Sequence, residues 1–288
     1  MFTIVGASGK VGGAIAANLL SQGKKLRVVL RDAAKTEIWT RQGAEIALAD
    51  WNDALAMQKA CSGSEGIFVM APPNFAPATG YPEAHAVATA LRTAIDAAQP
   101  DKIVALSSIG AHRDTGLGLI AQCHILEQAL AGVAMPLAFV RPGWFMENSM
   151  WDIESARMTG EIASFLDPLD RAVPMVATAD IGQVIAQTLT ESWTGRRVIE
   201  FEGPRRYAPQ DVAQTLGKLL GGSVQARAVP RDQWEALFKS QGTTDPAPRI
   251  EMLDGFNTGW IDFAGGEVEY RKGPTTLETV LSQLISNL

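Results

Sequence analysis

The first dozen residues constrain this chain more than any other stretch. Phe2 to Val5 form a short apolar run that favours a strand and breaks at Gly6. Glycines follow at Gly9 and Gly12, and helix-forming residues resume in AIAANLL. The order predicts a strand, a tight turn and the first turn of a helix. Gly6 permits the turn, Gly9 lets backbone approach a ligand, and Gly12 lets helix and strand pack closely. The free N–H groups of such a helix start make an anion site suited to a pyrophosphate. Gly6, Ala7, Ser8, Gly9, Lys10, Val11 and Gly12 are therefore candidate cofactor-binding residues.

The chain then repeats this opening. Five further apolar runs follow, in KKLRVVLR, EIALAD, GIFVM, KIVALSS and PLAFVRPG, with helical segments between them. Short runs of this kind alternating with helices predict an α/β protein with a Rossmann-type, doubly wound parallel sheet. Right-handed crossovers place the loops after its strands along one edge, where ligands of such sheets bind. Beyond Trp144 the rhythm changes. Helices near 146–159, 179–191 and 209–220 alternate with short strands such as RVIEFEG and VQARAVP. We read residues 1–150 as the dinucleotide-binding domain and 151–288 as a smaller mixed α/β cap, with later segments partly returning to the sheet. The last helix is expected to open with Pro274, Thr275 and Thr276 and to end the chain.

Composition narrows the function classes. The chain has 288 residues, is 47% hydrophobic and carries a net charge of -6 without any basic run. That argues against a nucleic-acid footprint. No stretch approaches the roughly eighteen unbroken apolar residues of a membrane span. The sequence enters its first strand at once, so no leader peptide is expected and a cytoplasmic protein is. Cys61 and Cys123 make no disulfide framework. His85, His112 and His124 lack ligand spacing, so no metal site is expected. Ser107 has no G-x-S-x-G elbow around it, against a hydrolase. Cys123 and His124 are adjacent on a helix, where side chains diverge by about 100°, so they are no nucleophile–base pair.

Cofactor choice turns on the end of the second strand. NAD-binding folds usually place an acid there for the ribose hydroxyls. Here Arg31 comes first and Asp32 second, with Lys35 one helical turn on. A guanidinium at the strand tip grips a 2′-phosphate by charge-assisted hydrogen bonds, which favours NADP(H) over NAD(H). Solvated charges at Arg31 and Lys35, with Asp32 serving NAD, are the competing reading. Asp50 and Trp51 are candidates to border the adenine, or else a helix-cap neighbourhood and a core aromatic. Met70, Ala71, Pro72 and Pro73 end the fourth strand, and with Ser107, Pro142, Gly143, Trp144 and Phe145 they are expected to frame the ribose and nicotinamide. Phe75 and Tyr81 lie on the loop APPNFAPATGYP. With Trp144 and Asn148 they are candidate substrate residues, making an aromatic-walled pocket for a flat small-molecule acceptor. Packing between sheet and cap is the alternative role for these aromatics.

With these blocks in order, the chain resembles the NmrA-like branch of the atypical short-chain dehydrogenase/reductases. The resemblance rests on GASGKVG (Gly6 to Gly12), VVLRD with Lys35, ALADWND, IFVMAPP, ALSSIGA, FVRPGWFMEN, TADIGQVIAQTL and EGPRRYAPQDVA. It runs from the first strand to about Trp234. It implies dinucleotide binding and, within the family, either NADPH-dependent quinone reduction or regulation by a dinucleotide that is not turned over. Active short-chain reductases carry a Tyr, a Lys four residues later and a Ser after the fifth strand. Ser107 and Ser108 match the Ser. Leu119 and Cys123 stand where Tyr and Lys belong, so the dyad is absent. Ser107 and His124 remain the catalytic candidates, His124 for its near-neutral pKa or else as an ordinary helix histidine. The sequence thus predicts an NADP(H)-dependent reductase of a quinone or similar planar acceptor, or of another activated double bond or carbonyl held by the cap. The non-enzymatic alternative is a redox sensor that acts through a protein partner.

Overall fold

The computed structural model describes all 288 residues, and its organisation starts from β1 (Phe2–Val5), which is buried at every position. β2 (Leu26–Leu30), β3 (Glu45–Leu48), β4 (Gly66–Met70), β5 (Ile103–Leu106) and β6 (Leu137–Pro142) follow in sequence. Between them run α1 (Lys10–Ser21), α2 (Glu37–Arg41), α3 (Ala54–Cys61), α4 (Pro82–Ala98) and α5 (Ala121–Leu130). Two-residue strands β7 (Trp144–Phe145) and β9 (Met175–Val176) flank α6 (Ile153–Thr159) and β8 (Glu161–Ser164). Then come α7 (Thr178–Thr190), β10 (Arg196–Glu202), α8 (Pro209–Leu220) and β11 (Gln225–Ala228). The chain ends with α9 (Trp234–Ser240), α10 (Ala247–Thr258), β12 (Glu269–Lys272) and α11 (Leu277–Ser286).

The main sheet has eight strands in the order β12-β10-β6-β5-β4-β1-β2-β3, and every pairing in it is parallel. Its order reverses between β1 and β4, so a crevice opens beyond their carboxyl ends. Both faces are covered, which is why the central strands are largely apolar. On one face α1 and α7 pack through Ile15, Leu19, Ile181 and Leu189. On the other, α3, α4 and α5 contribute Met57, Leu91, Ile95 and Leu126. The cap has its own core, including Ile153, Val212, Leu216, Phe256 and Leu281. β8 and β11 form a separate parallel pair within it.

Side-chain caps mark the starts of two helices. Asp53 accepts from the Ala56 N–H at 2.9 Å and starts α3. Thr276 accepts from the Thr279 N–H at 3.2 Å and starts α11. The RVIEFEG strand is one of the later segments that return to the sheet, and it pairs with β6. Two features differ from the sequence reading. Glu269–Lys272 adds an eighth strand at the sheet edge, where its alternating exposure needs no apolar run. Met146–Asp152 is a 3-10 helix rather than the first turns of an α-helix. A three-residue period turns Met146 and Ser149 inward together.

Candidate functional site

The glycine turn is built as its residues require. Gly6 has φ +74°, and a Cβ on Gly12 would stand 2.3 Å from the Gly6 carbonyl oxygen. Only glycine permits this approach of α1 to β1. No side chain caps α1, so its first N–H groups stay available to an anion. Ala7 and Val11 are buried beneath the turn, while Ser8, Gly9 and Lys10 are exposed. Lys10 Nζ lies 3.6 Å from Met150 Sδ, which brings the 3-10 segment beside the turn.

A cavity of about 80 Å³ next to this turn is lined by Gly6, Ser8, Arg31, Asp32, Lys35 and Trp51, with β1 and β2 residues behind them. Two cationic side chains therefore share one cleft with the glycine turn. The Asp32 carboxylate accepts from the Ala34 N–H at 2.9 Å and starts the short turn that carries Lys35. The Trp51 ring lies over Gly6, its Cη2 3.1 Å from where a Cβ would be. Its indole Nε1 is buried with no partner, a donor left for a polar ligand atom. The Arg31 guanidinium lies 6.0 Å from the Trp51 ring centre. Asp50 is not among the cavity residues, and its carboxylate accepts from the Asn52 N–H at 3.0 Å. Met70 Sδ lies 3.5 Å from the position a Gly6 Cβ would take. Ala71, Pro72 and Pro73 follow β4 over the same edge.

The residues expected near the chemistry are more committed to the protein. Ser107 is buried at the end of β5, and its hydroxyl donates to Glu127 Oε1 at 2.5 Å. Arg141 holds the same carboxylate in a bidentate grip, Nε to Oε1 at 2.8 Å and Nη2 to Oε2 at 2.6 Å. The three side chains form one buried network. His124 donates from Nδ1 to the Ala111 carbonyl at 2.9 Å, and its Nε2 lies 3.9 Å from Asp114 Oδ1. It therefore faces the loop after β5. On that loop His112 has a buried Nδ1 without a partner. Burial first, then the Arg141 and Arg113 charges, hold its pKa below the ordinary histidine value. Burial also pushes the Cys61 and Cys123 thiols up to about 12, so both stay protonated and unreactive. No group of three or more His, Cys, Asp or Glu side chains is placed to hold a metal ion.

The substrate candidates sit at the boundary of sheet and cap. Gly143 follows Pro142, and a Cβ on Gly143 would stand 2.5 Å from the Pro174 carbonyl oxygen. Trp144 meets Phe256 edge-on, with ring centres 5.2 Å apart. Phe145 is half-buried and packs on the sheet core. Tyr81, at φ +56°, donates its hydroxyl to the Gly118 carbonyl at 2.9 Å and so ties the Pro-rich loop to the start of α5. Burial, then the Glu251 and Asp245 charges, raise its pKa. Phe75 and Asn148 are exposed. Trp144 thus serves packing between sheet and cap, and Tyr81 serves the loop.

Glu127 and Arg141 escaped the sequence reading, though a signal was present. An acid among the apolar residues of α5 and an arginine inside LAFVRP each need a partner once buried. Their separation of 14 residues hides the pairing.

Sheet order, glycine turn and cap define the Rossmann-type fold of the NAD(P)-binding oxidoreductases. The model of the NmrA-like family matches residues 1–278, and the chain belongs to that family. It is 26% identical over 243 residues to the NAD(P)H azoreductase of Xenophilus azovorans, covering 84% of this chain and 82% of that protein. To quinone oxidoreductase 2 of Escherichia coli it is 25% identical over 250 residues, covering 85% and 83%. The crystal structure of that NADPH-dependent quinone oxidoreductase with NADPH superposes with a TM-score of 0.81 at 21% identity, over 99% of this chain and 100% of that one. The Citrobacter triphenylmethane reductase complexed with NADP(H) gives 0.80 at 17%, over 99% and 100%. No helix is long and apolar enough to cross a membrane.

Proposed function

We propose that this protein is an NADP(H)-dependent reductase that transfers hydride to a quinone or similar planar acceptor without a Tyr–Lys dyad. The observation that carries the cofactor half is the cleft in which Arg31 and Lys35 meet the glycine turn. Gly6, Ser8 and the first N–H groups of α1 would hold the pyrophosphate. Arg31 and Lys35 would hold the 2′-phosphate, and Trp51 the adenine end. When bound, the reduced nicotinamide supplies hydride. The chain's part is to position it near Met70–Pro73 and Pro142–Phe145 and to seat the acceptor under the cap.

The acceptor class follows from the proton inventory. The Ser107 hydroxyl donates its hydrogen bond to Glu127, and the His124 Nδ1–H donates to the Ala111 carbonyl. Both of these protons are engaged within the protein. An acceptor that delocalises the negative charge after hydride transfer, as a quinone does, needs no protein acid and takes its proton from water. The azoreductase and quinone oxidoreductase relatives, and the triphenylmethane reductase of like fold, support an electron-poor conjugated substrate.

The test follows NADPH absorbance with purified protein and a panel of quinones, with cofactor fluorescence read in the same cuvette. Steady oxidation that requires protein is expected with at least one quinone. Bound NADPH with no turnover on any acceptor would move the protein to the sensor reading, which the occupied Ser107 and His124 also favour. Failure to bind either dinucleotide would sink both.

A further inference from the structure

The cap carries a run of exposed apolar side chains that its own core does not use. Met150, Trp151 and Met158 are 37%, 79% and 79% exposed, three of the ten large apolar side chains left exposed in the chain. Such residues scattered singly are ordinary, whereas three within one short segment form a candidate binding surface. The segment is helical throughout, first as the 3-10 turns of Met146–Asp152 and then as α6. Met146, Ile153 and Ala156 turn into the cap core, which fixes the side left to solvent. Trp151, Ser155 and Met158 stand four and three residues apart and share that outer side.

Position narrows what the stripe binds. The segment continues directly from β7 (Trp144–Phe145), and Met150 Sδ lies 3.6 Å from Lys10 Nζ on the glycine turn. The stripe is thus continuous with the cofactor site and not on a remote face of the cap. The 3-10 turns carry the chain about 12 Å from Phe145 to Trp151. From there α6 adds about 10 Å to Met158. A ligand seated at Phe145 reaches the stripe only through a long substituent, and only an apolar one gains by lying on it. Tryptophan offers a broad apolar face and methionine an adaptable, polarisable one, a pairing suited to a flexible hydrocarbon.

We infer that Met150, Trp151 and Met158 form a subsite for the apolar tail of the acceptor, so that the substrate class is a quinone carrying a prenyl or alkyl chain. This subsite presupposes that the crevice at Pro142–Phe145 is the acceptor site. The ring takes the hydride there, and the tail leaves along the 3-10 segment. A prenyl unit lengthens the tail by four chain bonds, about 5 Å at full stretch. Roughly two to three units then reach Trp151, and roughly four to five reach Met158.

Equilibrium dialysis with NADP⁺ present measures binding without turnover. The probes are one dimethoxy-methylbenzoquinone without a tail, with three prenyl units and with five. The proteins are the wild type, W151S and M158S, both changes lying at exposed positions. The wild type is expected to bind the three-unit quinone about tenfold more tightly than the tail-less one, and the five-unit quinone more tightly again. W151S loses most of both gains while tail-less binding stays within about twofold. M158S loses only the second gain. A wild type that binds all three alike overturns the subsite. Variants that keep the wild-type order overturn it too, because the tail then lies elsewhere. If sedimentation shows a dimer that W151S breaks while tail binding is unchanged, the stripe joins two copies and holds no tail. NADPH oxidation is read separately. Tail-dependent binding without turnover of any quinone leaves the subsite standing and removes the reductase reading, and turnover without a tail effect does the reverse.

Discussion

Arg31 and Asp152 show how one side chain sets a property of the whole protein. Arg31 is exposed at the tip of β2, with Lys35 on the same cleft. A 2′-phosphate there would gain charge-assisted hydrogen bonds worth about 1.5–3 kcal/mol each. Arg31→Glu replaces attraction by repulsion, so NADPH affinity should fall about 30–100-fold while NADH changes little. Fluorescence titration with both dinucleotides checks this, and an equal loss for both would remove Arg31 from the 2′-phosphate. Asp152 ends the 3-10 segment, and burial pushes its carboxyl up to about 7 from an ordinary 3.8. The folded protein thus holds a proton there that the unfolded chain has released between those values. Stability from this group is present below the unfolded pKa and is lost as pH rises through about 7. Asp152→Asn cannot take part in this loss. Its stability relative to wild type should rise from pH 4 to pH 7 and level off above, a gain of up to about 4 kcal/mol. Urea unfolding of both proteins across that range measures it, and a flat difference would show that Asp152 is solvated.

At the scale of elements, contact between backbones decides what the glycine turn can do. α7 lies against α1, and a Cβ on Gly182 would stand 2.4 Å from Ala14 Cβ. Gly182→Ala should push the helices apart and cost about 1–3 kcal/mol. Because α1 carries the turn at its N-terminus, dinucleotide affinity should fall with stability. Thermal unfolding and titration read the two effects separately. A stability loss without an affinity change would uncouple α7 from the cleft. Local signals made the cleft legible: β1, the glycine turn, α1, Arg31, Lys35 and Trp51 are close in sequence or tied to strand ends. β10 was legible as a strand but not as the neighbour of β6, since pairing is a property of the assembled sheet. β12, the charged segment EYRK, gave no apolar signal because an edge strand there needs little burial. Ser107 was visible at its strand end, yet its commitment to Glu127 depends on side chains that meet only after α5 docks.

For the molecule as a whole, the course of the chain matters more than a boundary near residue 150. The chain leaves the sheet after β6, returns for α7 and β10, leaves again through α10, returns for β12 and ends in the cap as α11. Hydrogen bonds tie each crossing. Gly143 N–H donates to the Phe201 carbonyl at 2.9 Å, and Gly203 N–H to the Met175 carbonyl at 2.7 Å. Asp180, on α7, accepts from the Thr275 N–H at 2.9 Å and its hydroxyl at 2.6 Å, just before α11. Unfolding the cap would strip β10 and the edge strand β12 of their connections, so sheet and cap should melt together. Trp39, Trp51 and Trp193 report the sheet side, and Trp144, Trp234 and Trp260 the cap. Tryptophan fluorescence and far-ultraviolet circular dichroism should then give one coincident transition. A dinucleotide at a hundred times its Kd should stabilise the whole of it by about 2.7 kcal/mol. Two separated transitions, with only one moved by the dinucleotide, would mean that the cap folds alone. The acceptor site would then be assembled by docking rather than by folding, and substrate specificity would reside in a mobile partner of the sheet.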